Sequence, residues 1–217
     1  MSFTYRYPRP MVTVDMLMLR FREGKIELLL IQRDRPPYQG KWALPGGFID
    51  MEETLQQSAE RELREETGLE NVPLYQLSSF GDPGRDPRGR TITILFGGFL
   101  PPPFPTVTAG DDARRAKWFL LDRLPDLAFD HSHVINTALQ ELKEHLFCRL
   151  WIFQFLPERF SAYDLKVLCE VWFGAKIQHE ILLNEALKSA IIKRISNTTF
   201  YRMVMNKDFG KIHFTGF

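Results

Sequence analysis

Gly47–Leu69 reads GFIDMEETLQQSAERELREETGL. Between Thr54 and Thr67 the apolar residues Leu55, Ala59 and Leu63 recur every four positions, one stripe of an amphipathic helix. Thr54, with Gln57 three residues on, fits a capping box, and Gly68 stands where a helix stop belongs. On that helix Glu62, Glu65 and Glu66 are spaced i,i+3 and i,i+4. Their carboxylates share one face and repel by roughly a few tenths of a kcal/mol per pair. Nothing at the same spacing neutralises all three. A hard divalent cation would, because magnesium takes carboxylate oxygens and keeps waters and phosphate oxygens in its other positions. Arg61 can pair with Glu65 or reach back to Glu53. A solvated acidic helix face is the alternative reading of these residues taken alone.

The whole string resembles the Nudix box: glycine, five residues, glutamate, seven residues, then arginine–glutamate–aliphatic–any–glutamate–glutamate–any–glycine–aliphatic. Gly47, Glu53, Arg61, Glu62, Leu63, Glu65, Glu66, Gly68 and Leu69 fill each fixed position. The resemblance implies an α+β fold, a Nudix α/β/α sandwich with a mixed sheet. It also implies a loop–helix–loop that binds magnesium or manganese and hydrolyses a diphosphate linked to another moiety. Glu62, Glu65 and Glu66 are then the metal ligands, with Glu65 or an Asp of the 111–112 pair as the base. Arg61 and Glu53 join it as catalytic residues. The preceding KWALPGGF, residues 41–48, continues the family pattern, and Gly46 and Gly47 let backbone come close to metal or phosphate.

The length of 217 residues accommodates a domain of about 140–150 residues and a module of about 60–70, expected at 1–150 and 151–217. A net charge of +1 leaves no global field to draw the protein onto nucleic acid or an anionic membrane, so any basic patch is local. Cys148 and Cys169 have neither metal nor redox spacing and read as buried reduced thiols. The start, MSFTYRYPRP, lacks the apolar core of a signal peptide, and no run approaches the ~18 apolar residues of a span. The expected setting is the cytoplasm, without a membrane partner.

Residues 11–20 and 25–32, separated by Glu23-Gly24, read as strands joined by a tight turn. Residues 73–80 and 91–100 are two more strands. Between them GDPGRDPRGR, residues 81–90, carries Arg85, Arg88 and Arg90. It is either a solvated hairpin loop or an electropositive lid whose guanidinium forks match substrate phosphates. With AGDDA at 109–113 and Trp118-Phe119, this stretch is similar to the Nudix branch tied to ADP-ribose, which includes pyrophosphatases and NAD-related transcriptional regulators. The family likeness makes Asp111 and Asp112 candidates for a further metal ligand or base, Asp112 foremost; plain loop or capping roles are the alternative. A helix over 132–145 carries Val134, Ala138 and Leu142. The start of that helix explains His131 and His133 without a ligand role.

Beyond residue 150 the pattern changes. Pro157–Phe160 is a break, and Ser161 with Asp164 caps a helix to Phe173 that Gly174 stops. A second helix is expected over 178–193, then a hairpin of 200–205 and 211–214 around a turn. Helix, turn, helix, hairpin is a winged-helix pattern, and the layout resembles the C-terminal module of the NAD-related regulators. The second helix is poor in DNA-reading residues: Glu180 and Glu185 are acidic, Lys188 and Lys193 come late, and no arginine precedes Arg194. Its Ile181-Leu182-Leu183 run suits packing against the Nudix domain or a partner subunit.

Two functions follow. One is a magnesium-dependent pyrophosphatase that splits a nucleoside diphosphate derivative, foremost ADP-ribose to AMP and ribose 5-phosphate. The other is an ADP-ribose-sensing transcriptional regulator that binds DNA through the winged helix. Regulators of this kind often have eroded boxes, whereas every box glutamate is present here, which favours catalysis. A nucleoside diphosphate derivative other than ADP-ribose is a third reading. The resemblance implies a homodimer.

Overall fold

The fold was read from a computed structural model, which describes residues 6–110, 113–174, 179–196 and 198–204. Asp111, Asp112 and the expected hairpin arm 211–214 lie outside the described residues. The chain gathers into two compact units: residues 1–18, 28–98 and 105–136 form the first, and residues 19–27, 99–104 and 137–217 the second.

Strands β1 (Met11–Arg22) and β2 (Lys25–Arg33) turn at Glu23 and Gly24, both at positive φ. Then come β3 (Trp42–Ala43), β4 (Gly46–Phe48), helix α1 (Leu55–Thr67), β5 (Leu74–Phe80), β6 (Thr91–Leu100) and β7 (Ala113–Leu120). Among the described residues these strands make one sheet in the order β3-β2-β1-β6-β5, with β4 on β1 and β7 on β2. Antiparallel ladders join β1 to β4, β2 to β3 and β5 to β6. A parallel bridge from Trp42 to Leu127 makes the sheet mixed, as the sequence predicts. Val14, Met16, Leu17, Leu28, Leu29 and Leu30 are fully buried, because the two central strands are covered on both faces.

Helix α1 begins and ends as read. Thr54 accepts from the Gln57 amide, the Gln57 side chain accepts from Thr54 N, and Gly68 stops the helix at φ 70. It packs on β4, β5 and β7 through Ala59 and Leu63, with Ser58, Glu66 and Thr67 also buried. Helix α2 (His131–Cys148) starts one residue before and ends three after the expected span.

The second unit holds a 3-10 turn (Trp151–Phe155), β8 (Arg159–Ser161), α3 (Ala162–Phe173), α4 (His179–Lys188), β9 (Ile192–Arg194) and β10 (Phe200–Met203). The three strands order β8-β10-β9, both pairings antiparallel. Its core is aromatic: Phe155 lies 5.0 Å from Phe99 and 5.7 Å from Trp172, and Phe153 lies 5.9 Å from Phe160. The Ser161–Asp164 capping box is present. Two expectations are corrected here. The break at 157–160 contains the start of β8, whose partner strand is some 40 residues away and invisible to local pattern. The second helix ends at Lys188 rather than 193, because Ala190 takes φ 53 and Ile191 N bonds back to Ala186 O; Ile192–Arg194 then pairs with β10. Cys169 is buried, which pushes its thiol up to about 12, whereas Cys148 is only half-buried.

No helix among the described residues is long and apolar enough to cross a membrane.

Candidate functional site

The box acids line a cleft of about 420 Å³ in the first unit. Its floor is the β4–α1 junction. Arg61 is the hub. Its Nε donates to both carboxylate oxygens of Glu53 (2.9 and 3.0 Å), and Nη1 donates to Glu62 (2.7 Å) and to Glu65 (3.3 Å). Nη2 donates to the Phe48 carbonyl (3.1 Å). The guanidinium, then the Ser58 hydroxyl, hold the Glu53 carboxyl below its usual range. Of the three helix acids Arg61 thus reaches Glu62 and Glu65 and leaves Glu66. One five-donor fork serves Glu53, Glu62 and Glu65, which spacing rules for single pairs did not anticipate.

Glu66 lines the same cleft but is buried. It lies seven positions after Ala59, on the buried stripe, and accepts from Gly46 N at 2.8 Å. Burial, aided by the charges of Glu62 and Asp15, pushes its carboxyl up to about 8. Burial likewise raises Glu62, against the pull of Arg61. The three acids thus grade from Glu66, buried, through Glu62 at 14% side-chain exposure to Glu65 at 37%.

Two glycines make this approach possible. A Cβ on Gly47 would stand 2.5 Å from a Glu62 carboxylate oxygen, and one on Gly46 2.6 Å from Asp15 Oδ1. The Gly46 N–H is already committed to Glu66, so a ligand meets that acid before it meets the amide.

Among the described residues no three acidic, histidine or cysteine groups are drawn together as a ready metal cage, and Arg61 holds Glu53, Glu62 and Glu65. The donor set still fits a hard divalent cation: it is all oxygen. Arg61 serves three of the four box acids, and the proton held by Glu66 keeps the fourth from adding to the negative charge.

Of the arginines in the 81–90 loop, Arg85 and Arg88 line the cleft and Arg90 does not. Arg90 Nη1 donates to the Gly81 carbonyl. Arg85 grips Asp130 with two bonds (2.9 and 2.8 Å) and is almost fully buried. Arg88 grips Asp86 through Nε (3.0 and 3.2 Å) and Nη2 (2.7 Å). Burial works to raise Asp86, but the side-chain and backbone bonds from Arg88 outweigh it and leave the carboxyl below its usual range. Much of the positive charge expected of a lid is thus already met by carboxylates.

Sequence reasoning missed Asp15 as a cleft residue and took His131 as a simple helix start. Asp15 accepts from Thr93 Oγ1 (2.5 Å) and stands 3.9 Å from His131 Nε2. Leu44 N donates to His131 Nδ1 (3.0 Å), so the neutral imidazole carries its proton on Nε2, toward Asp15. Burial holds the imidazole below its ordinary pKa, although Asp15 opposes this. A lone acid inside the apolar strand VTVDMLML was the available signal, since buried charges are seldom idle.

Residues 9–138 match the NUDIX domain family, and the chain belongs to that family. The "ADPR responsive transcriptional repressor NtrR" of Acinetobacter baylyi is 30% identical over 86% of this chain and 76% of its own. An ADP-ribose pyrophosphatase of Methanocaldococcus jannaschii is 42% identical over 62% of this chain and 76% of its own. Among solved structures, Shewanella oneidensis NrtR complexed with a 27mer DNA superposes with a TM-score of 0.76 at 27% identity, covering 94% of this chain and 97% of that one.

Proposed function

We propose that the cleft binds ADP-ribose and hydrolyses its phosphoanhydride to AMP and ribose 5-phosphate, with magnesium or manganese as cofactor, in a domain over residues 1–150. The observation that carries this reading is the intact set of box acids around Arg61 at the cleft floor. The pyrophosphatase relative points the same way.

Glu62, Glu65 and Glu66 would hold the cation, which when bound neutralises the diphosphate and acidifies a water. Glu65, the most exposed of the three, accepts the proton of the attacking water. Arg61 orients Glu65 from 3.3 Å, and Glu53 fixes Arg61 through its Nε. Asp112 is the other candidate for proton acceptor. Gly47 keeps backbone bulk away from Glu62, and Arg85 and Arg88 stand along the substrate's side of the cleft.

A second reading is an ADP-ribose-sensing regulator, a homodimer that binds DNA through the winged helix of residues 151–217. It is supported by the repressor relative and by one surface feature. Arg159, Arg202 and Lys193 stand directly opposite one another across β8, β10 and β9 and all are exposed. Arg202 is paired with Glu158 at 3.4 Å, and a phosphate backbone would draw on Arg159 and Lys193 beside it. Helix α4 offers less, since its Lys188 is tied to Glu185 at 2.6 Å.

A panel of nucleoside diphosphate derivatives separates the two. Magnesium-dependent release of AMP from ADP-ribose, stopped by EDTA, is expected. No turnover of any compound, with an ADP-ribose-relieved and salt-sensitive shift of the chain's own upstream DNA, would replace the enzyme by the regulator.

A further inference from the structure

We infer that the Phe48 ring, backed by the Arg88 guanidinium, is the platform on which the nucleotide's base stacks, and that it makes the cleft selective for purines. This rests on the reading that the cleft takes a nucleoside diphosphate derivative, whether it turns the compound over or only senses it.

Arg88 is held in a fixed orientation at the cleft. Its guanidinium is pinned by three contacts to Asp86, and Asp86 is itself buried. Those contacts use Nε and Nη2 only, so they fix the plane of the fork. It also lies over two aromatic rings: the guanidinium carbon is 4.9 Å from the Phe48 ring centre and 5.4 Å from that of Phe129. Phe129 is held in place by Arg33 at 4.8 Å and by the Tyr38 ring at 4.8 Å, on a backbone at φ 52 that a bulky residue adopts only when its surroundings impose it.

Phe129 is partly buried among these neighbours, and Phe48 is the more exposed of the two rings. Phe48 is 41% exposed, on the rim of a cleft whose other walls are mostly polar. A guanidinium against a phenyl ring is a cation–π contact, and the ring face turned to solvent accepts another planar group. The ring is also tied to the acidic centre. The Phe48 carbonyl accepts from Arg61 Nη2, and Gly47, next in the chain, lies under the Glu62 carboxylate. A ligand base on Phe48 therefore has its diphosphate within reach of the box acids. A purine offers the larger face, so stacking favours adenine or guanine over a pyrimidine.

The test is calorimetric binding of ADP-ribose and of its cytidine counterpart to the full chain carrying Glu65→Gln, so that ligand is not consumed. The parent should bind the adenine compound roughly tenfold more tightly than the cytidine one. Phe48→Leu, added to it, should weaken ADP-ribose roughly tenfold and bring the ratio close to one. Arg88→Lys keeps the charge and loses the plane, and should cut the ratio as well. Because Phe48 is exposed, unchanged thermal unfolding should accompany its substitution. Phe48→Leu that binds ADP-ribose as the parent does, or that weakens both compounds equally, would overturn the platform. A parent that binds neither compound overturns the nucleotide reading of the cleft, and the platform with it, and the parent's own titration identifies that case.

Discussion

Glu65→Gln should lower kcat for ADP-ribose hydrolysis by about 10²–10⁴-fold, with the affinity for ADP-ribose kept within a factor of about two. Among the three box acids on α1 only Glu65 combines exposure with a loose hold. Arg61 donates to it at 3.3 Å but to Glu62 at 2.7 Å, and Glu66 is buried against Gly46 N. A proton acceptor needs an available lone pair and access to water, and both belong to Glu65. Glutamine preserves the shape and an oxygen for Arg61, so thermal unfolding should barely change. Assays of AMP release, with thermal unfolding as the control, decide it. An unchanged kcat would move the proton transfer to Asp112.

A second large effect concerns pH. Glu66 has its carboxyl raised from 4.5 to about 8 in the folded chain, so between those values the folded state holds a proton that the unfolded state has released. Stability from this group is complete below about pH 4.5, falls as pH rises, and is gone above about pH 8. The loss is on the order of a few kcal/mol in metal-free protein. His131 acts in the opposite sense: buried and neutral, it costs stability when pH falls below its unfolded value of 6.5, because only the unfolded state takes up the proton. The comparison with Glu66→Gln isolates the first group. Denaturant unfolding in EDTA at pH 5, 7 and 9 should show the variant gaining on the parent as pH rises. A gap that is constant with pH would mean that Glu66 is ionised throughout.

The first unit was legible because its signals are local. Thr54, Gln57 and Gly68 fix α1 by backbone hydrogen bonds within four residues, and the box spacing then places Glu62, Glu65 and Glu66. The burial of Glu66 was not read, because its spacing from Glu62 and Glu65 put it on the acidic face, although it also lies seven positions after Ala59 on the buried stripe. The reach of Arg61 to Glu53, Glu62 and Glu65 at once was not, because it depends on how the 48–53 loop returns over the helix. Asp15 and His131 meet only through β1 and the start of α2, more than a hundred residues apart. Arg85 and Arg88 looked like free cations because their partners, Asp130 and Asp86, are chosen by the folded loop. In the second unit the end of α4 was missed for a definite reason. The left-handed stop is Ala190, where sequence rules look for glycine, and pairing with β10 claims Ile192–Arg194 from a pattern that still reads as helical.

The most direct test of the acidic centre is a calorimetric titration of magnesium into metal-free protein at pH 7, run in two buffers of different ionisation enthalpy. Metal taken up by a cluster that holds Glu66 protonated must expel that proton, so release of about one proton per site is expected in the parent and close to none in Glu66→Gln. Magnesium uptake without proton release, or no uptake at all, would mean that these carboxylates serve Arg61 and the fold rather than a metal.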